Sequence, residues 1–330
     1  MKFFASPSLS RILCLSTAVL VSSIATCEGF SEDDVVQTRS TDWCPNAFFN
    51  FGDSLSDTGN TQLAIPGLFM YDTFPYGETF FEQPAGRASN GRLVIDFILM
   101  AFKMPLLSPS ALLSHAKDMQ GLNFAYSGAT ATPINFFVPY PLPYQVEQFM
   151  KLKDQVLQTQ REQGLALKEL DQDTYSDALY TLCIGGNDLV AGISTGLQPE
   201  AIIQYIVPDV LNEIVSAIEA LYSEGARKFI VFNGPPLGCS SSVLGILEDS
   251  GLPLDDLGCI TAVNEINDVL NSELFRSVQR LRASLPNVTI IHFDYYAANV
   301  EILSNPTKYG FNPDLVHRFD GDKNCSHFGR

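Results

Sequence analysis

Short apolar runs alternate with longer segments of helical periodicity along most of this chain. The runs predict five strands, at residues 47–51, 121–125, 178–184, 228–232 and 288–293. Apolar residues spaced three or four apart predict the main helices between them, at 93–102, 144–160, 201–223 and 260–284. Strands that alternate with helices indicate an α/β protein whose mostly parallel sheet is covered on both faces.

One long stretch, residues 63–90, fits neither pattern and is rich in proline, glycine and aromatic residues. Loops of this length often form lids or binding walls. Its aromatic residues at 69–81, together with those of 136–144, line an acyl or aromatic pocket in one interpretation and belong to the core in the other. Because no internal repeat or interdomain linker interrupts the chain, we expect one catalytic domain, at 44–311.

The first 27 residues have the features of a secretory signal peptide. Lys2 and Arg11 flank the start of an apolar stretch at 12–25, which is too short to span a bilayer comfortably, and small residues follow for cleavage. We therefore expect secretion to the extracellular space or apoplast, or transfer to the vacuole. An uncleaved membrane anchor is the alternative. Residues 28–43 form an acidic segment, and no later segment predicts a membrane span, so stable membrane insertion is not expected.

Charge and cysteine content narrow the picture further. The net charge of −17 argues against nucleic acid as a partner, because nucleic acid requires clustered Lys and Arg. Export permits disulfides, and Cys239 and Cys259, which flank a polar loop, are the expected pair. Cys183 lies in an apolar run and is expected to be a buried free thiol. Asn287 and Asn324 each begin an N-glycosylation sequence.

Three predicted strands are followed by small and polar residues. Residues 52–55 are Gly-Asp-Ser-Leu, residues 123–131 are Asn-Phe-Ala-Tyr-Ser-Gly-Ala-Thr-Ala, and residues 185–188 are Gly-Gly-Asn-Asp. Ligands of open α/β sheets bind at the carboxyl ends of the strands. A serine there becomes a nucleophile only with a base and fixed oxyanion donors around it. Each motif alone is also consistent with an ordinary turn, but three at successive strand ends favour a site.

Together these motifs resemble the three main blocks of the GDSL (SGNH-hydrolase) esterase/lipase family. Accessory segments at 86–97, 225–228, 235–239 and 294–296 resemble its plant branch, in particular the acetylajmalan esterase-like and sinapine esterase-like members. The resemblance implies a three-layer α/β/α, flavodoxin-like fold and hydrolysis of small acyl esters or lipids through an acyl-serine. It implies that Ser54 is the nucleophile and that Ser54 N–H, Gly128 N–H and the Asn187 side chain are the oxyanion donors. It implies no cofactor and no metal.

The chain departs from the family pattern at the catalytic base. In the family this base is a histidine with an aspartate three residues before it. The chain has four histidines, at 115, 292, 317 and 327. Asp314 and His317 have the required spacing, but the family pattern reads Trp-Asp-Gly-x-His and leads into a helix. Residues 312–330 are therefore interpreted as a divergent tail and the domain as C-terminally incomplete. His292 lies inside the last predicted strand and is expected to pack in the core.

Because the region of the base does not match the family pattern, three functions remain open. The leading one is a secreted serine ester hydrolase that acts through Ser54. A catalytically impaired protein of the same fold would be a binding or decoy protein, and transfer of the acyl group to an alcohol would make an acyltransferase. A further serine, Ser194, matches the Gly-x-Ser-x-Gly elbow of α/β-hydrolases, but no strand precedes it directly, so it is not expected to react.

Overall fold

Five parallel strands form a single sheet in the order β2-β1-β3-β4-β5. The strands are β1 (Phe48–Gly52), β2 (Gly121–Asn123), β3 (Leu179–Cys183), β4 (Lys228–Phe232) and β5 (Thr289–Phe293). This computed structural model describes residues 43–115, 120–134, 137–163, 172–247 and 250–311. In this strand order the switch point, where open α/β sheets bind ligands, lies between β1 and β3.

Helices cover the sheet, and an irregular stretch at 65–93 separates the first two of them. The α-helices of the described residues are α1 (Asn60–Ala64), α2 (Val94–Ala101), α3 (Leu142–Gln163), α4 (Gln172–Asp177), α5 (Gly186–Ser194), α6 (Pro199–Ser223, with a π-helical turn at Ile202–Ile206), α7 (Ser241–Ile246), α8 (Thr261–Ser284) and α9 (Tyr295–Ser304). Short 3₁₀ turns lie at Ser110–His115, Leu237–Cys239 and Pro306–Tyr309.

The two faces of the sheet carry separate cores because side chains alternate along each strand. Phe49 and Phe51 of β1 pack with α3, α6 and α8 on the first face, where the Phe49 and Phe149 rings are 5.0 Å apart. Phe48 of β1 and Cys183 of β3 point to the second face, which α2 and Tyr295 of α9 cover. The molecule is thus a three-layer α/β/α structure, and the predicted fold class is confirmed.

Most of the predicted elements are present with boundaries moved by one or two residues. All five strands and the four main helices are found. The disulfide between Cys239 and Cys259 is confirmed, and Cys183 is a buried free thiol. The short helix α5 was missed. Its residues follow Gly185, whose φ of 112° is accessible to glycine, so its start had been interpreted as a turn.

The expectation that no segment after the signal peptide predicts a membrane span is corrected at Pro199–Ser223. By length and composition alone it is apolar enough to cross a membrane, which the sequence-based prediction overlooked. In the fold, its apolar stripe is buried against α3, α8 and the sheet, with Val210, Ile214, Ile218 and Leu221 among the core residues. Its composition is therefore accounted for by packing in the core.

Candidate active site

Ser54 lies in a tight turn immediately after the carboxyl end of β1. The carbonyl oxygen of Asp53 accepts hydrogen bonds from the N–H groups of Ser56 and Asp57, at 3.1 and 2.9 Å, which closes the turn. Ser54 is partly exposed, whereas Asp53 and Ser56 on either side are buried. Among the described residues, no hydrogen bond engages the Ser54 hydroxyl. The side chain is therefore presented at the switch point of the sheet.

The carboxylate of Asp57 joins the serine turn to the loop that follows β2. It accepts hydrogen bonds from the N–H groups of Gly59, Asn60 and Thr61 at the start of α1, at 2.8, 2.7 and 3.2 Å. It also accepts one from Ser127 N–H, at 2.8 Å. Asp57 is completely buried, so these bonds in a low-dielectric environment hold the two loops together.

Three buried asparagines support the same junction from below. The side-chain oxygen Oδ1 of Asn123 accepts hydrogen bonds from the Asn50 side-chain amide and from Ala125 N–H, at 2.8 and 2.9 Å. The Asn60 amide donates to the backbone oxygens of Asn123 and Ala125, at 2.8 and 2.9 Å. Buried amides with this many partners lock the backbone on which Ser54 and Gly128 depend.

Gly128 has a backbone conformation and surroundings that favour glycine. Its φ is +82°, and a Cβ at this position would lie 2.8 Å from the Cβ of Phe137 and 3.5 Å from the Phe69 ring. Any other residue would be strained here and would collide with Phe137. The aromatic side chains of Phe69 and Phe137 therefore flank this glycine.

Asn187, in the first turn of α5, connects the third motif to the second. Its side-chain amide donates a hydrogen bond to the Ala129 carbonyl oxygen, at 2.8 Å. A side-chain amide carries two N–H donors, so one remains for another partner. The neighbouring Asp188 carboxylate accepts from Ala131 N–H at 2.7 Å and from Thr132 N–H at 3.0 Å. The predicted donors Gly128 and Asn187 thus belong to two loops that are bonded directly to each other.

Gln145 of α3 is a residue of the site that the sequence-based prediction missed. Its side-chain carbonyl accepts from Gly52 N–H at 2.8 Å, and its amide donates to Gly52 C=O at 2.9 Å. It is completely buried. A polar residue within an apolar helical stripe is a signal that the sequence does carry. It does not reveal the partner, which lies 93 positions away. The residue fixes the backbone two positions before Ser54.

The carboxyl group of Asp53 is in an unfavourable environment for a negative charge. Its pKa is raised to about 7, mainly by burial and also by the nearby Asp188 and Asp57 carboxylates, while the hydrogen bond from Leu55 N–H opposes the shift. Burial also raises the pKa of Asp188, and the hydrogen bonds from Thr132 and Ala131 partly oppose this rise.

Within the described ranges, no group of three or more His, Cys, Asp or Glu side chains could hold a metal ion.

The histidines do not complete a triad within the described part of the chain. Asp314 and His317 lie outside the described residues, as does His327, and only the backbone of His115 is described. His292 packs edge-on against Phe275 on the β5 side, with ring centroids 5.3 Å apart, and burial lowers its pKa. His292 lies on the edge strand β5 and is only partly buried, and Phe275 is 46% exposed, so the expectation that His292 packs in the core is not confirmed. Ser194 is the last residue of α5 and follows no strand, which confirms that it is not a nucleophile elbow.

An all-parallel α/β sheet with a serine after its first strand and candidate donors on two neighbouring loops defines a serine-hydrolase type of site. Comparison with known proteins agrees with this class. The family model of the GDSL-like lipase/acylhydrolases matches residues 48–320. A GDSL esterase/lipase of Arabidopsis thaliana is 36% identical over 275 residues, which cover 82% of this chain and 72% of that protein.

Two further relatives extend this result. An esterase of Hevea brasiliensis is 38% identical over 283 residues, 82% of this chain and 69% of that protein. A protein of Arabidopsis thaliana named alpha-L-fucosidase 3 is 34% identical over 292 residues, 86% of this chain and 75% of that protein. The chain belongs to the GDSL lipase/acylhydrolase family, and the predicted family and its class of ester-bond hydrolase are confirmed.

Proposed function

We propose that this protein is a secreted carboxylic-ester hydrolase that acts through an acyl-Ser54 intermediate on small acyl esters or lipids. The observation that supports this most is the direct bonding of the three strand-end loops. Asp57 bonds to Ser127 N–H, and the Asn187 amide bonds to the Ala129 carbonyl, each at 2.8 Å. Ser54, Gly128 and Asn187 are therefore held on one rigid edge, as a preorganised oxyanion site requires.

In the proposed reaction the Ser54 hydroxyl oxygen attacks the ester carbonyl carbon and its proton passes to the base. The negative charge that develops on the carbonyl oxygen is stabilised by Ser54 N–H, by Gly128 N–H and by the second N–H of the Asn187 amide. The tetrahedral intermediate collapses, the protonated base donates its proton to the leaving alkoxide, and the alcohol departs from acyl-Ser54. The base then takes a proton from water, whose oxygen attacks the acyl carbonyl, and it returns that proton to Ser54 as the carboxylic acid leaves.

The base in this proposal is His317, oriented by Asp314. Both residues lie outside the described ranges, and their Asp-x-x-His spacing supports the assignment. The family match extends to residue 320 and therefore includes both. Without a base, triad enzymes retain only about 10³–10⁴ of rate over water, so replacement of His317 by Ala distinguishes a working base from a coincidental match.

Secretion and glycosylation belong to the same proposal. The signal-like features of residues 1–27 support export, and Asn287, in the loop before β5, is exposed as a glycan acceptor must be. Expression in plant cells followed by N-terminal sequencing of protein from the medium tests both. We expect the mature chain to begin near Glu28 and to lose mass on treatment with a peptide N-glycosidase. Retention of Met1 in membrane-bound protein would support the anchor instead.

A fluorophosphonate probe tests the mechanism directly, because it forms a stable bond only with an activated serine. We expect the full chain to be labelled, with the label on the peptide that contains Ser54, and labelling to be lost in Ser54→Ala. Ser194→Ala is the matched control and should label normally, since Ser194 is exposed at the end of α5. A folded protein that is not labelled would be a binding or decoy protein.

The same preparation separates the remaining activities. Product analysis with an added acceptor alcohol distinguishes hydrolysis, which yields free acid, from acyl transfer, which yields a new ester. Assay with p-nitrophenyl α-L-fucoside beside p-nitrophenyl acetate tests the activity in the name of one relative. We expect release of p-nitrophenol from the acetate and free acid as the main product. Fucoside hydrolysis in the absence of ester hydrolysis would contradict the proposal.

A further inference from the structure

A cleft of about 290 Å³ lies beside the serine turn on the second face of the sheet. It is bounded by the serine turn, by the loop after β4, by α9 and by Phe311. Most of its lining is apolar and includes Leu55, Pro235, Tyr295, Ile302 and Leu303. This volume is near the lower end of small-molecule pockets, which hold about 300–1,000 Å³.

The wall formed by the loop after β4 is built into the fold. Buried asparagines of α8 hold it through the backbone, with Asn271 accepting from Gly234 N–H at 2.8 Å and Asn267 donating to Pro235 C=O at 2.7 Å. The disulfide of Cys239 anchors the far end of the loop. A wall with this many fixed points is preformed, as ligand pockets usually are.

The opposite wall, α9, is equally well anchored. The Asp294 carboxylate caps the helix by accepting from Ala297 N–H, and it also accepts from the Asn233 amide, both at 2.9 Å. The polar groups that line the cleft are already occupied locally. The Asn299 amide donates to Tyr295 C=O at 2.7 Å, and the Ser240 and Ser242 hydroxyls are 2.8 Å apart. The surface left for a ligand is mainly apolar.

The cleft and the candidate oxyanion donors lie on opposite faces of the sheet. Leu55 and Tyr295 pack with the second core, whereas Ala129 and Leu189, beside Gly128 and Asn187, belong to the first. A substrate whose carbonyl oxygen is bound by Gly128 and Asn187 can therefore extend a substituent toward Leu55, on the other side of the serine turn. That residue immediately follows the nucleophile and forms part of the cleft wall.

We propose that this cleft binds the aliphatic acyl chain of the ester, and that Leu303 and Ile302 of α9 limit the chain length that it accepts. This inference rests on the proposed ester hydrolysis at Ser54. Burial of one methylene contributes about 0.8 kcal/mol, which corresponds to about fourfold in kcat/KM. The modest volume favours a single chain of medium length over a bulky group.

Chain-length profiles on p-nitrophenyl acetate, butyrate, octanoate and laurate test the proposal. We expect kcat/KM of the wild-type protein to rise from acetate to octanoate. Leu303→Trp fills the cleft and should reduce octanoate hydrolysis by at least about tenfold, the loss of roughly two methylenes from the cleft, while acetate hydrolysis stays near wild type. Leu197→Trp is the matched control, since Leu197 is 45% exposed and lies beyond the far end of α5.

Binding measurements keep this inference separate from the proposed function. Titration calorimetry with 1-octanol in the Ser54→Ala background requires no catalysis, and Leu303→Trp but not Leu197→Trp should abolish the binding. Leu303→Ala, which enlarges the cleft, should shift the preference toward laurate and guards against misfolding of the larger variant. Equal profiles in all variants with no 1-octanol binding would overturn the inference while leaving ester hydrolysis intact. Dimerisation that only Leu303→Trp abolishes, with unchanged profiles, would assign the cleft to a second copy of the chain and also overturn it.

Discussion

The side chain of Gln145 forms hydrogen bonds with both backbone groups of Gly52, at 2.8 and 2.9 Å. Pairing of β1 with β2 ends at Asn50, whereas pairing with β3 continues to Gly52. The amide of Gln145 therefore takes the place of a neighbouring strand just where β1 leads into the serine turn. An uncharged amide can do this because it carries a donor and an acceptor side by side.

Gln145→Leu leaves the Gly52 N–H buried without this partner, whereas the Gly52 carbonyl oxygen still accepts from Tyr126 N–H, at 3.2 Å. We expect a loss of about 1–3 kcal/mol in the free energy of unfolding for the unsatisfied N–H, measured by urea denaturation. Because Ser54 follows two residues later, fluorophosphonate labelling should also slow. Gln148→Leu is the control on the same helix, since within the described part of the chain Gln148 bonds only to the Tyr144 and Tyr126 hydroxyls. Equal stability of the two variants would contradict the positioning role.

Asn187→Ala removes one proposed oxyanion donor. We expect kcat for p-nitrophenyl acetate to fall by about 10²–10³, the usual effect of deleting one such donor, with a smaller change in KM. The lost bond to Ala129 should cost only about 1 kcal/mol of stability. Asn305→Ala, at an exposed position after α9, should leave kcat unchanged. A kcat within about threefold of wild type would remove Asn187 from the oxyanion site.

Asp53 should make the protein less stable as the pH rises. Its pKa in the fold is about 7 because burial disfavours the carboxylate, whereas an unfolded Asp titrates near about 3.9. The folded state therefore binds more protons between these values, and its stability falls as pH increases from about 4 to about 7.

Asp53→Asn removes this titration. Urea denaturation of both proteins across that range should show the variant gaining stability relative to wild type as the pH rises, with the difference constant above about pH 8. Asp188, whose pKa is also raised by burial, is present in both proteins and cancels in the comparison to first order. A loss of stability by the variant relative to the wild type as the pH rises would show instead that Asp53 is ionised at low pH in the fold.

Local patterns along the chain carried enough information to predict the layers of the fold and the strand ends of the site. Apolar runs mark β1 to β5, and small residues after β1, β2 and β3 indicated Ser54, Gly128 and Asn187. Contacts between distant residues carry no such local signal. Gln145 reaches Gly52 across 93 positions, and Asn271 of α8 reaches Gly234 across 37. A periodic apolar stripe predicts a helix but does not reveal which buried polar side chain supports a distant loop.

Local sequence patterns also could not predict the cleft beside Leu55. Its walls come from the serine turn, the loop after β4 and α9, whose shared boundary arises only when the sheet assembles. The start of α5 was obscured by Gly185 and Gly186, which resemble a turn in sequence but lead directly into a helix.

Hydrolysis of p-nitrophenyl acetate by Ser54→Ala and Ser194→Ala proteins decides whether the serine after β1 is the nucleophile. Both variants should unfold at the same Tm as the wild type, because the Ser54 hydroxyl has no hydrogen-bond partner among the described residues and Ser194 is exposed. We expect Ser54→Ala to lose turnover by a factor of about 10⁴ or more and Ser194→Ala to keep it. Unchanged turnover in the Ser54→Ala protein would contradict an acyl-enzyme mechanism at this site.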